Sequence, residues 1–272
     1  MNKTLLTTAI LICLAKTWAA QEDQDARKRA TGIVAQIQRA DYEGNREALK
    51  KAYEELTPFL ENKEIASRIR YWRGFDLWRS AINGFNDSVD PNELERLLLQ
   101  AVDEFKEALA RDPTFVDAKV GMISCLGYVT YIHRKEAERA QQLVAQISPL
   151  VNEVRAAAPD NPRFIWVLGP ILWYTPVDRG GGIDKIIANY ERGLAICAQL
   201  KTPVDPLEPS WGKPELMMSL AYTQLSKNPP DVENAERNAR AALEIVPYWH
   251  YTRDMLLPQI AEAKAKQAKQ SP

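Results

Sequence analysis

The stretch AVDEFKEALARDP, residues 101–113, decides the fold. Ala101, Phe105, Ala108 and Pro113 stand four, three and five positions apart, and Ala235, Ala239, Ala242 and Pro247 repeat that spacing. Ile147, Val151, Val154 and Pro159 repeat it again, while Ile186, Tyr190 and Gly193 give a fourth copy without its proline. Each position has a physical task. A small residue opens the second helix of a pair so that the first can approach closely. A second small residue, two turns further on, seats the next pair. The proline lacks an N–H and crowds the preceding turn, so the helix ends there.

Outward from this motif, apolar residues recur at three- and four-residue spacing through 26–40, 46–60, 65–83, 93–111, 116–132, 136–157, 163–174, 183–200, 214–226, 232–246 and 249–268. Proline, glycine and Asx-rich breakers separate them, and strand signals are nearly absent. Short helices joined by short polar turns make either a bundle or a helical repeat array. The first helices favour the array, because Gly74, Leu168-Gly169 and Leu220-Ala221 hold equivalent places where the two helices of a hairpin cross tightly.

The segments AVDEFKEALARDP, FIWVLGPIL (164–172) and AERNARAALEIVP (235–247) resemble the tetratricopeptide-repeat family. The resemblance implies an all-α, right-handed superhelix of antiparallel helix hairpins, with about four degenerate repeats plus caps. The domains expected are a signal peptide at 1–20, an N-terminal helical hairpin at 21–64, a repeat domain at 65–248 and a C-terminal capping helix with its tail at 249–272. The copies are degenerate: Ile123 replaces the small residue of the second pair, loops at 83–91 and 175–182 lengthen the first and third pairs, and 203–214 separates the third pair from the fourth. The segment from Pro176 through IDKIIANYERGL is also similar to a loop and helix of the transporter-associated periplasmic branch of that family.

The N-terminal residues read as an export signal. Lys3 precedes an apolar run from Leu5 to Ala15, and Thr17-Trp18-Ala19-Ala20 supplies small residues for cleavage after Ala19 or Ala20. The run is shorter than the roughly 20 residues that span a bilayer, so no membrane span is expected after cleavage; an uncleaved anchor is the alternative. Ile12 before Cys13 argues against a lipoprotein signal. The expected location is periplasmic or secreted.

Charge and chemistry narrow the function classes. The chain carries a net charge of −1 with no basic stripe, so nucleic acid is not an expected partner. Cys125 and Cys197 lie in apolar helical stretches and read as small hydrophobes more readily than as a bridge. His133 and His250 have no partner at metal-ligand spacing, and no Gly-x-Ser-x-Gly elbow exposes a nucleophile. The one glycine-rich loop, Arg179-Gly180-Gly181-Gly182, continues Ile-Asp-Lys where a phosphate loop needs Gly-Lys-Ser/Thr; it reads as a flexible connector. No cofactor, metal or catalytic residue is nominated, and the chain is read as a non-enzyme.

Binding is the remaining class. In the family, one face of each first helix lines a concave groove. Carrying that register through Gly74, Gly169 and Ala221 assigns the groove to Arg68, Tyr71, Phe75, Trp78, Arg163, Trp166, Trp173, Met218 and Tyr222. The second pair adds Asp117, Val120 and Ser124. Aromatics with interspersed arginines suit a protein or peptide partner. The competing reading places about half of these aromatics in the core, since large rings at helical spacing usually fill one. The leading expectation is an envelope scaffold that engages a peptide or protein. A carrier of a small apolar or amphipathic ligand, accessory to a solute transporter, is the alternative, and a hydrolase stands third.

Overall fold

The computed structural model describes residues 23–269 in backbone and side chains, and the backbone alone of 3–22 and 270. The export signal expected at 1–20 lies outside the fully described residues. Among the described residues there is no strand. Among these described residues eleven α-helices follow one another: α1 (Lys3–Glu43), α2 (Arg46–Glu55), α3 (Ala66–Asn86), α4 (Pro91–Arg111), α5 (Val116–Ile132), α6 (Ala137–Ala157), α7 (Pro162–Tyr174), α8 (Ile183–Cys197), α9 (Lys213–Leu225), α10 (Val232–Ile245) and α11 (Leu257–Gln270). No described helix is long and apolar enough to cross a membrane.

Local chemistry sets the boundaries. Asp90 accepts from the Asn92 amide and Asn161 from the amides of Arg163 and Phe164, satisfying donors that the first turn cannot. Pro91 and Pro162 follow these caps at the first helical position, where a missing N–H costs nothing.

Successive helices pack as hairpins, α3 with α4, α5 with α6, α7 with α8 and α9 with α10, and α3, α5, α7 and α9 also touch in series. These first helices form the inner layer. Burial follows: α3 hides residues around its whole circumference, whereas α4 and α10 bury one stripe each.

The recurring small residues do what their spacing requires. The Phe105 ring of α4 sits between Gly74 of α3 and Gly121 of α5, and a Cβ at Gly74 would stand only 2.8 Å from it. Gly193 of α8 similarly admits Ile165 of α7 and Leu216 of α9. In the second pair the equivalent place holds Ile123, buried as an ordinary core residue, and Gly121 instead admits the Phe105 ring of the preceding pair. Cys125 is buried, Cys197 half-buried, and both are free thiols.

Two features lie beyond the repeat. Residues 203–212, read from sequence as a separator, fold back as a strap across the inner layer. The last hairpin also returns to the first helix: the Tyr42 ring packs on Trp249 at 5.0 Å, its hydroxyl donates to Glu215 at 2.6 Å, and Arg39 lies over the Tyr248 ring at 4.9 Å. The array closes on its own cap.

Candidate functional site

The inner face has an occupied half and an open half. In the occupied half the strap inserts Leu207 and Trp211, both buried. The Trp72 indole donates to the Leu207 carbonyl at 2.8 Å, and the Trp211 indole donates to the Tyr71 hydroxyl at 2.9 Å. Trp211 packs within 5.4–5.6 Å of Phe75, Trp78 and Trp166, which makes this a wall of rings from α3, α7 and the strap. Charges hold the strap's edges. Arg68 binds Glu208 and Asp112 while lying 3.9 Å over the Phe115 ring, Arg163 binds Asp117 and reaches the Trp211 carbonyl at 3.3 Å, and Arg27 of α1 pairs with Asp205.

This arrangement sorts the nine residues expected to line the groove. Tyr71, Phe75, Trp78 and Trp166 are buried against the strap and one another. Arg68 and Arg163 are engaged in ion pairs, and Met218 is half-buried against the last hairpins. Trp173 and Tyr222 are exposed. In the second pair Asp117, Val120 and Ser124 are buried. The chain's own loop covers much of the expected face.

Beside the ring wall lies a knot of buried charge. Asp41 accepts from Arg79 Nε at 2.8 Å, and both side chains are almost fully enclosed. Glu215 accepts from the Tyr42 hydroxyl and, at 2.9 Å, from the Gly212 amide; burial pushes its carboxyl up, with Arg79 opposing. Asp76 is enclosed with one carboxylate oxygen unpartnered, and burial, reinforced by Asp41, pushes it well above its ordinary 3.8. An acid raised on folding keeps its proton while the unfolded chain releases one, so stability is lost as pH rises above 3.8. Asp76→Asn should therefore raise the thermal midpoint at pH 7, and the gain should vanish toward pH 4. A midpoint lowered at pH 7 in melts from pH 4 to 8 overturns this account.

The open half continues the same helix faces by two turns. Seven residues past Trp78, Ser124, Trp166 and Glu215 stand Phe85, Tyr131, Trp173 and Tyr222, one on each first helix, and a seven-residue step returns to the same face of an α-helix. With Tyr174 these rings form a ladder in two runs, Phe85 6.3 Å from Tyr131 and Tyr131 6.4 Å from Tyr174 in one, and Trp173 6.0 Å from Tyr222 in the other. Tyr131, Trp173, Tyr174 and Tyr222 are exposed at 40, 37, 69 and 42 %. Arg134 lies 4.2 Å over the Tyr131 ring and makes no ion pair among the described residues.

No family model and no curated protein sequence matches the chain. Among solved structures it is similar to TTC0263, a thermophilic TPR protein of Thermus thermophilus, over 88% of this chain and 99% of that one, with 18% identity and a TM-score of 0.54. The fold is that of the tetratricopeptide-repeat proteins. Yeast Tom70 aligns with 83% of this chain and 60% of its own at 14% identity, with a TM-score of 0.22 that adds nothing to the comparison.

Within this tetratricopeptide-repeat fold the other sequence candidates take structural places. The amides of Gly180, Gly181 and Gly182 donate to Val177, Pro176 and Leu172 carbonyls, so the glycine-rich loop is a closed turn whose own three glycine amides are used within it. His133 sits between Glu95 and Glu136 at 2.9 and 2.8 Å, and His250 pairs with Asp254 at 2.8 Å. No group of three His, Cys, Asp or Glu among the described residues could hold a metal. Two surface clefts of about 580 and 670 Å³ lie along α10–α11 and α1–α2, away from the inner face. Sequence reading missed the strap anchors Leu207 and Trp211 and the ladder residues Phe85, Tyr131 and Tyr174. The seven-residue recurrence was the available signal for Phe85 and Tyr131.

Proposed function

We propose that the protein is a non-catalytic binding scaffold, exported to the cell envelope, that engages a peptide segment of a partner protein along the open half of its inner face. The exposed aromatic ladder carries this reading. Four large rings from α5, α7 and α9 stand exposed side by side, and contiguous aromatic surface of that kind marks interaction sites in soluble proteins. The occupied half supports it too, since there the same face already holds a non-helical chain segment.

The test falls on Trp173 and Tyr222. Sequence alone would select Trp78 and Trp166, but both are buried, and truncating them would damage the core. Trp173→Ala with Tyr222→Ala removes an exposed ring pair worth about 0.5–1.5 kcal/mol beyond its buried area. The double variant should keep the helical signal and nearly the native midpoint while losing partner capture from an envelope extract. Capture at the native level by a folded double variant would remove the ladder from the reading. N-terminal sequencing of the mature protein tests export, with cleavage after Ala19 or Ala20 as the expected result.

A further inference from the structure

We infer that the open ladder takes a proline-rich, non-helical segment carrying an acidic residue beside an apolar one, in the mode by which the chain already holds its own strap. This rests on the peptide-scaffold reading above and names the class of peptide.

The strap is the template. Its residues Pro203, Pro206 and Pro209 remove backbone donors and keep the segment out of helix. Such a chain offers carbonyls in plenty and few N–H groups, so a surface that reads it must supply donors. The occupied half does: the Trp72 indole takes the Leu207 carbonyl and Arg163 takes that of Trp211. The one acidic side chain between them, Glu208, goes to Arg68, a guanidinium stacked on the Phe115 ring.

The open half presents a similar donor set that the described chain does not itself use. The hydroxyls of Tyr131, Tyr174 and Tyr222 and the indole N–H of Trp173 make no hydrogen bond among the described residues, and all four side chains are exposed. Arg134 is stacked on Tyr131 as Arg68 is on Phe115, and it likewise stands at the edge of the rings. Arg68 has Glu208; Arg134 has no carboxylate, and the nearby Glu136 is held by His133. Tyr174 stands beside Tyr131, whose ring Arg134 covers. A donor-rich aromatic surface with an arginine at its edge that makes no ion pair among the described residues complements proline rings, bare carbonyls and an acidic side chain. The two halves are continuous along α7 and α9, where Trp166 is bonded to Ser219 in the occupied half and Trp173 stacks on Tyr222 in the open one.

The probe is a labelled synthetic peptide, PVDPLEPS, copied from residues 203–210 and lacking the Trp211 anchor. It is titrated into the full chain by fluorescence anisotropy, beside counterparts with every proline changed to alanine, with the glutamate changed to lysine, and with an amphipathic helical sequence. The tethered strap holds its own site at high effective concentration, so the free peptide samples the open half. The expected result is saturable binding, weakened about tenfold by Trp173→Ala and by loss of the prolines. Arg134→Glu should weaken the native peptide several-fold and prefer the lysine peptide, a reversal that a merely structural arginine would not produce. Equal binding of the alanine counterpart, or binding indifferent to Trp173→Ala and Arg134→Glu, overturns the inference. Preference for the helical peptide, lost in Trp173→Ala, overturns it while leaving the scaffold reading in place. Quenching of Trp173 by soluble oligosaccharides, with every peptide silent, overturns both.

Discussion

Replacing Trp211 with alanine should destabilise the protein by roughly 3–5 kcal/mol, the usual cost of emptying a buried tryptophan site. The residue is 6 % exposed and packs against Phe75, Trp78 and Trp166. Its loss also strands the buried Tyr71 hydroxyl, whose hydrogen bond it supplies. At about 2–4 °C per kcal/mol for a domain near this size, the midpoint should fall by on the order of 10 °C. The damage should also travel. In a plain repeat array each hairpin leans mainly on its neighbours, so a defect between the third and fourth pairs would leave the first protected. Here the strap binds Arg27 of α1, Arg68 and Trp72 of α3 and Arg163 of α7 at once. Hydrogen exchange should therefore quicken in α3 as well as in α9. An unchanged midpoint, or α3 amides untouched while α9 loosens, would show that the strap merely covers the rings.

What the sequence made legible follows from what repeats. Ala101, Phe105, Ala108 and Pro113 report a contact that every hairpin must make, so spacing alone places the helices and their order. Phe105 between Gly74 and Gly121 is that contact seen directly. The strap is made once, and single events leave no period; Pro203, Pro206 and Pro209 announce only the end of a helix. Leu207 and Trp211 are apolar residues in a loop, which argue for burial without naming the surface that receives them. The split of the inner face was hidden for the same reason. Trp166 and Trp173 share one face of α7 and are indistinguishable by register, yet the strap covers the first and leaves the second exposed. Only three-dimensional closure separates them.

That closure has a second fastening, and removing half of it should be as costly as removing Trp211. Asp41→Ala leaves Arg79 enclosed without its ionic partner, and breaking a buried pair from one side typically costs about 3–5 kcal/mol. Burial opposes the charge on Arg79, but Asp41 and Glu215 outweigh it and hold the guanidinium protonated. A guanidinium is not deprotonated in a protein, so Arg79 has no neutral form to escape into when Asp41 is removed. Asn83 loses a carboxylate acceptor in the same step, though it keeps the backbone carbonyl of residue 41 at 3.1 Å. Arg79→Met should cost less, because the stranded Asp41 keeps Asn83 as a donor. The double variant Asp41→Leu with Arg79→Met should recover most of the loss, since Phe75, Trp78 and Trp166 all stand within 6 Å of the guanidinium and an apolar pair suits that lining. The cycle of four midpoints then isolates the coupling. Single losses near 1 kcal/mol, the scale of an exposed pair, would mean that water reaches the knot and that Tyr42, Trp249 and the strap close the superhelix without it.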